Sequence, residues 1–259
     1  MTQSIGFGQM PDSCAVPVVS VVMANFRGAA HLACAMASVL AQTERRLELI
    51  VVDDASDDDS VEIARGIARD DARVRVIASP DNQGPAATRN LALEAARGTW
   101  VAIVDSDDLI HPARLARLIA AAEAAGADLI ADDLVYFGAG TAPQGQTLLQ
   151  SLALVAPMPL SVALYLQGNG GGASVPHFGY LKPVFRRAAL AGRRYDPRLR
   201  IGEDYDLVLR LMIDGRRFTL LPDPLYAYRR HAGSISHRLS IATVEAMLQA
   251  HRALPPLAE

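Results

Sequence analysis

Strand-length apolar runs that each give way to an amphipathic helical pattern recur along the N-terminal half of this chain, and that rhythm leaves few architectures open. The runs are Val18 to Ala24, Leu47 to Val52, Val74 to Ala78 and Trp100 to Val104, with a shorter one from Asp128 to Ala131. Helical patterns follow them: Leu32, Met36, Val39 and Leu40 share one face, and further helices are expected over Ser60 to Arg69, Ala86 to Ala96 and Ala113 to Ala125. Strands apolar on both sides must be covered on both sides. The spacing therefore predicts an α/β fold with a largely parallel central sheet flanked by helices, in a chain long enough for one large domain or two small ones. Ligands of such sheets bind beyond the carboxyl ends of the strands.

After about Phe137 the rhythm fails. Glycines at 138, 140, 168 and 170 to 172 flank an apolar stretch from Thr147 to Leu166 and read as hinge or loop material. Gln150, Ser151, Pro157 and Pro159 interrupt that stretch and would open the backbone hydrogen bonds a lipid-exposed helix must keep. It reads instead as helix-containing cover for a site, with contact at a membrane surface as the alternative. From Phe178 the chain recovers a strand-like Gly179 to Phe185, a helix from Glu203 to about Ile213, a strand near Arg217 to Leu221 and a helix from about Ser240 to Ala253. The expected organisation is a loose leader over 1–16, a ligand-binding subdomain over 17–136, a second subdomain over 137–238 and a C-terminal helix and tail over 239–259.

Composition narrows the partners. Half of the 259 residues are apolar, enough for a substantial core, while a formal charge of −3 with no basic stripe argues against nucleic acid. Two cysteines, Cys14 and Cys34, lack metal-ligand spacing and are too few to staple a chain of this size, which fits a reducing cytoplasm. The first seventeen residues have neither a basic start nor an apolar core, so no signal peptide is read there.

Acidic residues sit where the runs end. Asp105, Ser106, Asp107 and Asp108 close the fourth run, and in an extended segment Asp105 and Asp107 project the same way and can converge on one hard divalent cation. The alternative is that Asp107 or Asp108 caps the helix that Pro112 helps open. Asp53 and Asp54 end the second run; one of them can accept hydrogen bonds from a base or a ribose. Asp57, Asp58 and Asp59 read as helix caps. Gly202-Glu203-Asp204-Tyr205-Asp206 opens a helix, where an acid can serve as a general base or simply meet the helix dipole. Arg229, Arg230 and His231, with His237 and Arg238, concentrate cation-capable groups; Arg229 or His231 could face phosphate, or His231 could join carboxylates around a metal. The turn from Pro80 to Gly84, with Arg89 and Asn90, feeds a helix N-terminus suited to anions.

Taken in order, these pieces resemble a family 2 glycosyltransferase, the inverting, nucleotide-sugar-dependent kind with the Rossmann-like A-type fold, which implies a single large α/β domain with a mixed, mostly parallel central sheet flanked by helices. The matching segments are Val19 to Phe26, Ser38 to Thr43, Leu47 to Ser56, Asn82 to Gly84 with Ala87 to Asn90, Asp105 to Asp108, Gly202 to Asp204 and Leu225 to Arg229. The resemblance implies that Asp54, with Asp53, recognises the nucleobase or ribose, and that Asn25, Phe26, Gly84, Asn90 and Arg229 line the same donor site. It implies that Asp105, Ser106 and Asp107 form the family's DXD-type metal and nucleotide motif, with Asp108 as a further ligand for Mg2+ or Mn2+. Asp204 falls at the catalytic base, with Glu203 before it. Relatives often carry Tyr-Asn where this chain has Phe26-Arg27, so a ring for stacking is kept and a phenol is not.

The implied reaction moves one sugar from a nucleotide-diphosphate sugar, by analogy a UDP-sugar, to a carbohydrate or lipid-linked acceptor in surface polysaccharide or glycolipid assembly. The processive Gln-x-x-Arg-Trp pattern is missing, Trp100 being the lone tryptophan. The implied location is the cytoplasm, with the inner membrane face as a peripheral contact. A nicotinamide-dependent oxidoreductase would need Gly-x-Gly-x-x-Gly where Asn25 to Gly28 stands, and a sugar-phosphate nucleotidyltransferase a basic, glycine-rich loop there. A degenerate module that binds the donor without catalysis is the remaining alternative.

Overall fold

Successive residues of β1 (Val19–Asn25) point to opposite faces, and both faces are apolar: Val19, Val21 and Met23 enter one core while Val22 enters the other. The same split runs through β2 (Leu47–Asp53), with Leu49 and Val51 opposed to Ile50 and Val52, and through β4 (Trp100–Ile103), with Trp100 and Ala102 opposed to Val101 and Ile103. In the computed structural model, which describes residues 16–139, 145–169, 175–231 and 240–255, helices cover both cores. Helices α1 (Ala29–Leu40), α2 (Ser60–Asp70) and α4 (Arg114–Ala125) seal the first face through side chains such as Leu32, Met36, Ala64, Leu115 and Leu118. The second face is sealed by α3 (Pro85–Ala95), through Ala92 and Leu93, and by α7 (Glu203–Ile213), through Leu207, Leu209 and Leu211.

The described strands form one nine-stranded sheet. β1 lies parallel between β2 and β4, and β3 (Val74–Ala78) extends the sheet beyond β2. Strand order thus reverses between β1 and β4, and the crevice at such a reversal is where α/β sheets bind ligands. Beyond β4 comes β8 (Val184–Arg186), antiparallel to both β4 and β6 (Leu129–Gly138), followed by β9 (Phe218–Arg230), parallel to β6. Two reversals restore the direction, so the carboxyl ends of β1, β2, β4, β6 and β9 share one rim.

Helix ends follow local chemistry. Pro85 opens α3 directly after Gly84, whose φ of 89° suits glycine, and Gly126 closes α4 in the left-handed conformation. The C-terminal α8 (Ile241–Arg252) begins at Ser240, whose Oγ accepts the Thr243 amide hydrogen at 3.1 Å.

The second half departs from the sequence expectation in several places. β6 continues to Gly138 rather than ending at Ala131, because the two carboxylates that break its apolar run are satisfied internally. Asp132 takes a bidentate Arg114, and Asp133 accepts the backbone N–H groups of Leu134 and Leu149. β9 runs on through Pro222 and Pro224, and its register with β6 shifts at Asp132 and Asp133, a bulge that absorbs residues lacking an N–H. The strand expected over Gly179 to Phe185 shrinks to β8 behind a 3-10 turn at Phe178–Tyr180, since Pro183 cannot donate to a ladder. A short β5 (Leu109–Ile110) precedes α4 and pairs with β9. The Thr147 to Leu166 stretch becomes a 3-10 turn at Gln150–Leu152, the strand β7 (Met158–Leu160) on β9, and α5 (Val162–Asn169), with a four-residue α6 (Arg187–Leu190) further on. Leu149, Leu160 and Tyr165 bury it against the second core. Among the described residues, no helix is long and apolar enough to cross a membrane. All but Val16 of the leader expected over 1–16, the glycines at 140 and 170 to 172, and His237 with Arg238 lie outside the described residues.

Candidate active site

On the shared rim, three carboxylates meet two cations. Asp105 follows β4, where its Oδ1 accepts Arg89 Nη2 of α3 at 2.9 Å and its Oδ2 accepts Lys182 Nζ at 2.8 Å. Lys182 also reaches Asp204 Oδ2 at 3.0 Å, and Arg89 binds Glu203 and stands 3.7 Å from Asp204 Oδ1. Both cationic side chains are only 7% exposed. Burial by itself disfavours every charge in this group. For Asp105, burial is outweighed by Lys182 and Arg89, which hold its carboxyl far below the ordinary range. Lys182 and Arg89 are likewise pushed well above their usual values against burial by the surrounding acids. For Glu203 burial wins, and its carboxyl is raised despite Arg89.

The rest of the acidic block does different work. Asp107 Oδ2 lies 2.8 Å from His231 Nε2, and the Asp107 carbonyl accepts Arg229 Nε at 2.7 Å. His31 of α1 extends this group, its ring centroid 5.6 Å from that of His231. Asp108 turns inward at 1% exposure: its Oδ2 accepts the Tyr226 hydroxyl at 2.7 Å and its Oδ1 the Arg229 amide at 2.6 Å. Burial, then the charges of Asp105 and Asp107, push the Asp108 carboxyl well up, which suits a brace for β9 better than a cation ligand. Among the described residues, no three His, Cys, Asp or Glu side chains are grouped to hold a metal. Asp105 is already compensated by two protein cations. Asp107 and His231 do fit a divalent ion, offering a carboxylate oxygen and an imidazole nitrogen and leaving other positions for phosphate oxygens and water.

Around the crevice the remaining residues hold backbone in place. Asp53 accepts Asn25 Nδ2 at 2.7 Å and both the amide and hydroxyl of Ser56. Asp54 accepts the amides of Gln83 and Gly84, each at 2.8 Å, and so fixes the turn that opens α3. Asn90 pairs with both backbone groups of Tyr195 at 2.9 Å. Gly28 is required by proximity, since a Cβ there would fall 2.0 Å from Asn25 Oδ1 and 3.3 Å from Ser106 Oγ. Phe26 is exposed at the crevice mouth, with the Arg27 guanidinium 5.1 Å from its ring centroid.

A paired acid on a helix start and an acidic block after the strand at the topological reversal are thus joined through Lys182, and an exposed ring follows β1 on the same rim of the sheet. The model described as Glycosyl transferase family 2 matches residues 20–187. The chain belongs to glycosyl transferase family 2. Two proteins of Rhizobium meliloti are similar along most of it: succinoglycan biosynthesis protein ExoO, 38% identical over 242 residues, and ExoU, 33% identical over 242 residues. The alignments cover 92% and 91% of this chain and 68% and 69% of those proteins. Among solved structures, S. aureus TarS in complex with UDP-GlcNAc superposes with a TM-score of 0.73 at 20% identity, covering 90% of this chain and 65% of that one. The mannosyltransferase PcManGT from Pyrobaculum calidifontis, in complex with GDP-Man and Mn2+, gives 0.65 at 19% identity, covering 94% and 65%. These likenesses establish the A-type fold, and the chain spans about two thirds of the length of such relatives.

Sequence reading brought Asp105 and Asp204 to one place but passed over what joins them. Lys182 stood in an apolar segment and read as part of a strand, and Arg89 read with Asn90 as part of a helix N-terminus suited to anions rather than as a partner of Asp105 and Glu203. A lone lysine between Leu181 and Pro183 in an otherwise apolar run was the available signal, because such a charge is buried only with a partner.

Proposed function

We propose that this family 2 glycosyltransferase moves a single sugar, with inversion, from a UDP-sugar to an acceptor hydroxyl during surface-polysaccharide or glycolipid assembly. The observation that carries the reading is the meeting of Asp204 and Asp105 on one ammonium at the rim where β1 and β4 part. Asp204 opens α7 facing the crevice and acts as the general base. It takes the proton of the acceptor hydroxyl while that oxygen forms its bond to the anomeric carbon; the bond to the diphosphate breaks on the opposite face, and its electron pair leaves with the nucleotide. Glu203 neighbours it and anchors Arg89. Phe26 offers the nucleobase a stacking face, with Asp53 and Asp54 shaping the wall behind it. Asp107 and His231 would hold a divalent ion, which would supply positive charge to offset that on the departing diphosphate. Arg229, braced on the Asp107 carbonyl, adds a fixed positive charge beside it.

Residues 17–136 carry the donor half of the site, and residues 137–238 the acceptor half. The succinoglycan biosynthesis relatives support a place in polysaccharide assembly, and nucleotide-sugar complexes on the same fold support the donor class. The test is nucleotide release from a panel of UDP-sugars, with and without Mn2+. Asp204→Asn is expected to abolish turnover and keep donor affinity by calorimetry, whereas Asp107→Ala weakens metal-dependent donor binding as well. Turnover retained by Asp204→Asn would refute the assignment of the base.

A further inference from the structure

Among the described residues, Lys182 is the side chain that hydrogen-bonds to both Asp105 and Asp204, and neither family membership nor the reaction outlined above calls for it. Its Nζ lies 2.8 Å from Asp105 Oδ2 and 3.0 Å from Asp204 Oδ2. The place is prepared for it. The Lys182 backbone carbonyl accepts Nη2 of the fully buried Arg114 at 2.6 Å, so the residue is anchored at its main chain as well as at its tip. Pro183 follows, fixing the chain as β8 begins. Two carboxylates on separate elements would repel each other across a desolvated gap, and without a cation between them nothing holds their separation. Arg89 cannot substitute fully: it bonds to Asp105 and Glu203 but only approaches Asp204, at 3.7 Å.

We infer that Lys182 is a positioning residue for the transfer, tying the catalytic carboxylate of Asp204 to the Asp105 end of the donor crevice so that the base stands at a set distance from the anomeric carbon. This rests on the reading of Asp204 as the base. The groups facing the pair are Asp105, Arg89 of α3, Glu203 of α7, Tyr195, Tyr165 of α5 and Tyr228 of β9; of these, Arg89 is the other cation. Because the proposed role is geometric, losing it lowers the rate of the chemical step more than the affinity for donor.

The test is nucleotide release from the best UDP-sugar for Lys182→Gln and Lys182→Arg beside the wild type, with donor affinity measured by calorimetry. Lys182→Gln is expected to lose about 10² in kcat with donor Kd changed less than about threefold, and Lys182→Arg to recover most of the loss. Equal losses in kcat and donor affinity, or a Lys182→Gln enzyme with wild-type kcat, would overturn the inference while leaving Asp204 as the base. A retained rate in Asp204→Asn would instead remove the reading beneath it. Should Lys182→Gln fail to fold, lysine ammonium NMR on the wild type and on Asp204→Asn serves: a slowly exchanging Nζ signal that shifts in Asp204→Asn supports the bridge, and a signal indifferent to that change refutes it.

Discussion

Removing the guanidinium of Arg114 tests how the floor of the site is held. Arg114 is 0% exposed and Asp132 1% exposed; three hydrogen bonds of 2.8 to 3.0 Å join them, a fourth runs to the Lys182 carbonyl, and the guanidinium lies 4.9 Å from the Tyr226 ring centroid. Burial pushes the Asp132 carboxyl upward and Arg114 offsets that only in part. A carboxyl raised in the folded state contributes stability that is present below its unfolded value and lost as pH rises through the folded one, so at neutral pH the buried acid is a net cost. Arg114→Met leaves that acid uncompensated, at a cost of about 3–5 kcal/mol. For a domain of this size the melting point falls roughly 2–4 °C per kcal/mol, hence by roughly 6–20 °C in all. Replacing the acid as well, Arg114→Met with Asp132→Leu, is expected to recover most of the loss, because two apolar side chains need no pairing. Calorimetric melting of the wild type, both single variants and the double variant closes the cycle. A single-variant loss under about 1 kcal/mol, or a double variant no more stable than Arg114→Met, would refute the reasoning.

Two further variants have expected outcomes. Asp108→Asn removes a carboxyl whose ionisation is disfavoured by burial and by Asp105 and Asp107, so its melting point should exceed that of the wild type near pH 8 and the gap should close as pH falls toward 4; a gap that widens on acidification contradicts this. Mn2+-dependent donor binding should survive in that variant, which separates Asp108 from Asp107. Gly28→Ala places a methyl group against Asn25 Oδ1 and should lose about 1–3 kcal/mol in urea denaturation, with the loss relieved by Asn25→Ser; an unchanged midpoint would show that the Asn25–Asp53 bond is not held by that packing.

The N-terminal half of the fold was legible residue by residue. β1, β2 and β4 lie where apolar runs give way to Asn25, Asp53 and Asp105, and β3 over the run that ends at Ala78, since periodicity and burial report the same fact when both faces of a strand are covered. Beyond Ala131 that link weakens. Asp132 and Asp133 look like the end of a strand until Arg114 and two backbone amides arrive to satisfy them, and Pro222 and Pro224 look like breaks until a bulge in β9 itself, opposite Asp132 and Asp133, accommodates them. Metal chemistry suggested by the spacing of Asp105 and Asp107 divides in space: one acid turns to Lys182 and Arg89, the other to His231.

Alternation along the chain determined that there would be a sheet covered on both sides, a rim at its carboxyl ends and acids upon that rim. Which cation would stand between those acids was decided only by folding. Local pattern records how each segment meets water, whereas the pairing of Lys182 with Asp105 and Asp204, or of Arg114 with Asp132, depends on which distant segments the sheet order sets side by side. A buried charge is silent in the sequence until its partner is known.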